Sequence, residues 1–245
     1  TAMVKAHREK QRRKPLEINL ISRGRQGLEL RNLEVKRTKL EIGLFYNDDF
    51  GEVNEVITQR LNNDKDKGIV LLHGLPGTGK TTYLRYLIGK IKKRVLFVSP
   101  NIAGDITSPD FIQLLVGNPN SVLIIEDAEN VIMDRKLNNS GSVSNLLNIS
   151  DGLLADFLNV QLICTFNSPL TLVDQALMRK GRLIAKYEFG KLSTEKAGKL
   201  SRHLGFDTQI DHPMTLAEIS NPGAKEYKAE HTEVLGFMRK EALMN

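Results

Sequence analysis

Between residues 68 and 190 two kinds of hydrophobic pattern take turns along the chain. Short continuous apolar runs occur in IVLLH (69–73), RVLFVS (94–99), SVLIIED (121–127), VQLICTF (160–166) and IAKYEF (184–189). Unbroken runs of this length suit strands buried on both faces. Between them, apolar positions recur every three or four residues. Leu84, Leu87, Ile88 and Ile91 fall on one face of a helix predicted over 83–93. Another helix is predicted over 108–117, with Pro109 near its start, and a further helical stretch over 142–154. Strands alternating with helices predict an α/β fold, a mainly parallel sheet with helices on both faces.

The flanks are patterned differently. LEINLIS and KLEIGLF alternate roughly, with Gly24, Gly27 and Gly43 as punctuation, and predict short strands. YNDDFG (46–51) is a turn cluster, and Val53, Val56, Ile57 and Leu61 then line one helical face. After Ser193, TEKAGKLSRHL and TLAEI predict a small helical subdomain. The division is a basic arm over 1–15, a β-rich extension over 16–45, an α/β core over 46–190 and a helical lid over 191–245.

Composition changes this picture in a few places. With 245 residues, 40% of them hydrophobic, the chain can bury the core of one large domain or of a domain plus lid. No apolar run approaches the roughly 20 residues that span a bilayer. The charged N-terminus lacks the apolar stretch of a signal peptide, and Thr1-Ala2-Met3 reads as a cloning remnant. A cytoplasmic protein with no membrane partner is the expectation. The single Cys164 excludes an intrachain disulfide framework and sits in an apolar strand as a core residue. Much of the net charge of +6 lies in KAHREKQRRK (5–14). That run reads either as a solvated arm or as a contact for nucleic acid or an acidic partner, and no aromatic is interleaved with it. His203, His212 and His231 lack metal-ligand spacing.

GLPGTGKT (74–81) fits the pattern G-x-x-x-x-G-K-[ST], with a strand before it and an amphipathic helix after it. The glycines let backbone N–H groups turn inward around phosphate oxygens, and the helix N-terminus adds partial positive charge. Lys80 can reach the outer phosphates and the Thr81 hydroxyl can ligate Mg2+. The nucleotide-binding set is Gly74, Pro76, Gly77, Thr78, Gly79, Lys80, Thr81 and Thr82. A plain Gly/Pro turn would leave the Lys-Thr pair unexplained. His73, at the strand end before the loop, reads as a packing residue.

In VLIIEDAE (122–129) four apolar residues run directly into Glu126 and Asp127. Ligands of open α/β sheets gather at the carboxyl edge, so this strand delivers its carboxylates beside the loop. Such carboxylates can hold Mg2+ through its waters and polarise an attacking water. Glu129 reads either as part of that group or as a surface turn.

GLPGTGKT, VLIIEDAE, CTFNSP and DQALMRKGR, in this order, resemble the motif series of the AAA+ ATPases over roughly residues 46–220. Within that family the motifs are most similar to the group that assembles mitochondrial respiratory complex III. That group also has Glu-Asp at the end of this strand, and SNLLNISDGLL and FVSPNIAGDITSPDFIQLL resemble its segments. This chain departs from the group in carrying no transmembrane segment, so membrane and mitochondrial inferences do not transfer.

The resemblance implies a P-loop NTPase fold that binds and hydrolyses ATP with Mg2+. It implies a homo-oligomeric ring, a hexamer, that remodels or moves a macromolecule, protein rather than nucleic acid. Lys80 would hold the phosphates, Thr81 and Glu126 the metal, and Asp127 would polarise water. Asn167, ending VQLICTF, takes the place of the first sensor, though alone it would also read as the start of a turn. Arg179 and Arg182 would reach into the neighbouring subunit's site, or else form an exposed basic turn. Tyr46, Asp48, Asp49 and Phe50 lie where the family wraps the adenine, which adds Asp49 to the binding set. Adenine is implied by the resemblance, since the guanine-reading Asn/Thr-Lys-x-Asp signature is absent. SPNIAGD lies where unfoldases carry an aromatic pore loop, yet it contains no aromatic. Arg202 reads either as a second sensor or as an exposed helix residue. Two other functions stay open: a DNA-associated loader, and a non-hydrolysing switch in which Asp127 is too short.

Overall fold

The structure is a computed structural model that describes residues 16–25, 27–133, 142–206 and 208–223. The basic arm over 1–15, the lid segment 224–245 and His231 lie outside them. One sheet holds β1 (Leu16–Gly24), β2 (Gly27–Val35), β3 (Gly68–Gly74), β4 (Val95–Val98), β5 (Val122–Ile125), β6 (Gln161–Phe166) and β7 (Leu183–Phe189). The strand order is β2-β1-β4-β5-β6-β3-β7. Every neighbouring pair is parallel except the β1–β2 hairpin. This is the mainly parallel α/β sheet that the alternation of patterns predicts, and it is consistent with the P-loop NTPase fold that the resemblance implies.

Burial explains why the core strands read as unbroken apolar runs. Along β3, Ile69 and Leu71 enter one hydrophobic cluster while Val70 and Leu72 enter the other. Successive side chains of a strand point to opposite faces, so both faces of β3 must be apolar. The first cluster packs against the helices Pro109–Val116 and Ser142–Asp151 through Phe111, Leu115, Leu146 and Ile149. The second packs against the helices Phe50–Asn62 and Lys80–Ile88 through Ile57, Leu61, Tyr83 and Leu87.

The N-terminal hairpin belongs to this same sheet. Asn19, Leu20 and Ile21 of β1 pair in parallel with Leu96, Phe97 and Val98 of β4. Ile21 and Ile18 enter opposite clusters. β2 is left as the edge, where Glu29, Arg31 and Glu34 mark it as a strand that repels further pairing.

KLEIGLF forms no strand: Ile42–Phe45 is a helical turn, and the second strand of the hairpin is Gly27–Val35. Two helix boundaries also move from their predicted places. The helix predicted over 83–93 occupies Lys80–Ile88. Its start is set by Gly79, whose left-handed backbone (φ 95°) turns the chain out of the loop and into the helix. The stretch 142–154 forms two helices, Ser142–Asp151 and Leu153–Leu158, because Gly152 between them is extended. Ile102 and Ile106 are buried, so the segment after β4 is folded onto the core. No helix among the described residues is long and apolar enough to cross a membrane.

Parallel pairing puts the carboxyl ends of β3, β5 and β6 on one edge, and with them Gly74, Glu126 and Asn167.

Candidate active site

The loop from Gly74 to Gly79 is shaped by three left-handed glycines, with φ of 135°, 78° and 95° at Gly74, Gly77 and Gly79. At Gly74 no side chain could exist, since a Cβ would lie 2.2 Å from the Phe189 carbonyl oxygen on β7. Thr78 braces the turn by donating from its hydroxyl to the Leu75 carbonyl at 2.7 Å. From behind, Tyr46 donates its hydroxyl to the Gly79 carbonyl at 3.0 Å. Tyr46 itself is buried among Phe50, Tyr83 and Phe189, an aromatic cluster beneath the loop.

Lys80 is buried and folds its ammonium back onto the loop, donating to the Gly74 carbonyl at 2.7 Å and the Leu75 carbonyl at 3.0 Å. Burial pushes this lysine below the ordinary range, while the Asp127 and Glu129 charges pull the other way. The first N–H groups of the Lys80–Ile88 helix have no intrahelical acceptor. With Lys80 they form a donor set for an anion.

The Thr81 hydroxyl donates to Glu126 Oε1 at 2.8 Å. This pair of hard oxygens fits Mg2+, which keeps several waters and takes few protein ligands. Asp127 is exposed and leaves the strand in a left-handed conformation, φ 50°. Beyond it the Ala128 amide donates to the Thr165 carbonyl at 2.9 Å. Glu129 Oε1 accepts from the Asn167 amide at 2.7 Å. Asn167 is exposed at the end of β6.

These groups surround one cleft of about 370 Å³. Pro76, Gly77, Gly79, Lys80, Thr81, Thr82, Asp127, Thr165 and Asn167 line it from the sheet edge. Leu216, Ala217 and Ser220 line it from the lid. The structure thus gathers the loop, Asp127 and Asn167, with Glu126 tied in through Thr81.

Other residues singled out in the sequence fall elsewhere. The Asp49 carboxylate accepts from the Tyr187 hydroxyl at 3.0 Å and is not part of the cleft wall. Asp48 pairs with Lys196 of the lid at 2.7 Å. Arg202 is exposed, bonded to the Gly198 carbonyl of its own helix, and outside the cleft. His73 stacks on Phe166, and burial lowers its pKa. Cys164 is fully buried, which pushes its thiol up to about 12. Among the described residues no cluster of three His, Cys, Asp or Glu is placed to share a metal.

The two arginines differ in their surroundings. Arg182 Nε donates to Asp151 Oδ2 at 2.6 Å, and its Nη1 donates to the Ala176 carbonyl at 2.9 Å. Arg179 is exposed, and its guanidinium has no hydrogen bond or ion pair among the described residues.

The sequence predicts the lid helix but not that Leu216, Ala217 and Ser220 line the cleft. Thr215 accepts from the Glu218 amide while Glu218 caps back, and the helix Leu216–Ser220 starts there. The Ala217 amide then donates to the Gly77 carbonyl at 2.9 Å and seats the lid on the loop. The signal was present, because Thr215-x-x-Glu218 is a capping-box spacing. Nothing in the lid sequence alone says that this helix faces the loop.

Comparison with known proteins agrees with this geometry. Residues 70–191 match the family described as ATPases associated with various cellular activities. The chain is 25% identical over 182 residues to a probable mitochondrial chaperone BCS1-A of Dictyostelium discoideum, covering 69% of this chain and 42% of that protein. It is 31% identical over 140 residues to a probable mitochondrial chaperone bcs1 of Schizosaccharomyces pombe, covering 53% of this chain and 30% of that one. It is 29% identical over 204 residues to a 26S proteasome regulatory subunit 6B homolog of Saccharomyces cerevisiae, covering 78% and 44%. The chain spans less than half the length of each of these relatives. On the match over 70–191 and the phosphate loop, acidic strand end and Asn167 gathered at one sheet edge, the chain belongs to the AAA ATPase family.

Proposed function

We propose that this chain hydrolyses Mg·ATP in a homo-oligomeric ring, a hexamer, and uses the cycle to remodel a protein substrate. The observation that carries the reading is the convergence of Lys80, the Thr81–Glu126 pair, Asp127 and Asn167 on one cleft. A protein substrate is favoured by the similarity to two proteins named as chaperones and a third named as a proteasome regulatory subunit.

The chain's own residues divide the work. The free amides at the helix start take phosphate oxygens, and Lys80 exchanges its two loop carbonyls for them. Thr81 and Glu126 would hold Mg2+, which when bound offsets phosphate charge. Asp127 accepts a proton from the attacking water, directly or through one bridging water. Its shortness is matched to its backbone, since Asp is enriched several-fold at left-handed positions. Asn167 offers a neutral amide to the terminal phosphate. Arg179, without a side-chain partner among the described residues, completes the neighbour's site. Arg182 would need to exchange Asp151 for that role, so Arg179 is the leading finger.

The test is Mg·ATP turnover across a range of protein concentrations, with Asp127→Asn and Arg179→Ala alongside. Turnover per subunit should climb with concentration and fall in both variants. Flat, near-zero turnover with ATP still bound would replace hydrolysis by the switch reading. ATPase stimulation by DNA, lost steeply with salt, would point to a loader instead.

A further inference from the structure

One polar contact at the site has no part in the roles above. It is the 2.7 Å hydrogen bond from the Asn167 amide to Glu129 Oε1. The ladder between β5 and β6 ends at Ile125 and Cys164. Beyond it two contacts hold the strand ends together: the Ala128 amide on the Thr165 carbonyl, and the Asn167 amide on Glu129. Asn167 lies past the last residue of β6, and its side-chain amide has no partner among the described residues. Its position therefore depends on its main chain. Glu129 is half-buried and opens the helical turn Glu129–Ile132. That turn is fixed in its own right, because the Ile132 carbonyl accepts from the Asp174 amide at 3.0 Å and Met133 bridges Val173. Glu129 is thus an acceptor on a rigid base, and it holds the Asn167 N–H at 2.7 Å.

We propose that Glu129 is a positioning residue: its carboxylate fixes the main chain of Asn167 so that the Asn167 side chain meets the terminal phosphate of the nucleotide. Glu129 touches neither nucleotide nor attacking water. The inference rests on the reading of the cleft as an ATP site. What it adds is a division of the VLIIEDAE carboxylates into three tasks, with Glu126 toward the metal, Asp127 toward water and Glu129 toward the sensor.

The test compares ADP with ATPγS binding, and turnover, in the unaltered chain, Glu129→Ala, Glu129→Gln and Asn167→Ala. Asn167 acts only on the third phosphate, so Glu129→Ala should bind ADP as the unaltered chain does. It should lose about tenfold of the preference for ATPγS, because small misplacements of a site group cost about that much or more. Its kcat should fall by a similar factor with KM little changed. Glu129→Gln should recover most of both, since its amide oxygen still accepts from the Asn167 amide. Unchanged ATPγS preference in Glu129→Ala overturns the inference. So does a Gln variant as impaired as the Ala variant, which would make the charge the active element. Weakened ADP binding in both variants also overturns it, by giving Glu129 a role in the loop. If Asn167→Ala keeps full ATPγS preference while Lys80→Ala loses all nucleotide, the site reading stands and this inference falls. If the unaltered chain binds neither nucleotide, the site reading falls and takes this one with it.

Discussion

The Thr81 hydroxyl donates to Glu126 Oε1 at 2.8 Å, whereas the neighbouring Asp127 is turned into the open cleft. The acidic pair is therefore split by its surroundings into a bound and an open carboxylate. Glu126→Gln should raise the Mg2+ concentration needed for half-maximal turnover while leaving Mg2+-saturated turnover partly intact. Asp127→Asn should leave that concentration alone and lower kcat by about 100-fold, the scale of a lost general base. A Mg2+ titration of turnover in both variants separates the two. Equal effects on both parameters would mean that the carboxylates act as one group.

Asp127 carries a positive φ of 50°, which a residue with a side chain adopts at some cost. Asp127→Gly removes the carboxylate and relieves the backbone together. Turnover should vanish while the melting temperature holds or rises slightly. A Tm scan beside the ATPase assay checks this. A clear drop in Tm would show the carboxylate to be a structural support.

Arg179 and Arg182 stand three apart in sequence and differ in what holds them. Arg182, with its side chain 19% exposed, joins Asp151 and the Ala176 carbonyl. Arg182→Ala strands both partners, and should cost about 1–3 kcal/mol. In a chain of this size that lowers Tm by about 2–4 °C per kcal/mol. Arg179→Ala should leave Tm unchanged and, if the proposed ring forms, abolish its turnover. Mixing Arg179→Ala with Lys80→Ala subunits should restore part of the turnover if Arg179 acts in trans. No recovery in the mixture would place Arg179 outside the neighbour's site.

Asp66 gives a pH dependence with a definite sign. Burial pushes its carboxyl up, but hydrogen bonds and charge from Arg60, the Lys67 amide and the Lys93 charge outweigh this and hold it below the ordinary 3.8. The Arg60 guanidinium donates to it twice, at 2.6 and 2.8 Å. A carboxyl depressed in the folded state adds stability above its unfolded pKa and loses it as pH falls through the folded one. The Tm advantage of the unaltered chain over Asp66→Asn should hold at pH 6 and shrink below about pH 4. A constant gap down to pH 3 would mean that shape, not ionisation, sets the contribution.

The sheet was legible because its central strands are buried on both faces. Val70 and Leu72 serve one cluster, Ile69 and Leu71 the other, so the run had to be unbroken. The loop was legible because Gly74, Gly77, Gly79 and Lys80 are each tied to local backbone demands. Long-range contacts left no such trace. The Ala217 amide meets Gly77 from 140 positions further along the chain, and any residue but proline would supply that N–H. The bond from Asn167 to Glu129 likewise needs β5 and β6 side by side before it has meaning. The hairpin's place in the main sheet depends on β1 meeting β4, a pairing between segments with some 75 residues between them.

The seat of the lid on the loop is testable at two glycines of opposite standing. At Gly77 φ is 78°, and a Cβ would lie 2.9 Å from the Ala217 Cβ. Gly77→Ala therefore meets both a strained backbone and a lid helix held there by the Ala217 amide. It should weaken ATP and ADP alike, because the loop and the lid part together. Gly198 lies inside the helix Thr194–His203, and a Cβ there would meet nothing within 4 Å. Gly198→Ala should add about 0.5–1 kcal/mol by lowering the cost of helix formation. Nucleotide affinity should not change, since Gly198 is not part of the cleft wall. Calorimetry of ADP binding with a thermal scan distinguishes the two sites. If Gly77→Ala binds ADP at full strength, the lid moves away from the loop at no cost, and Leu216 and Ala217 play no part in holding the nucleotide.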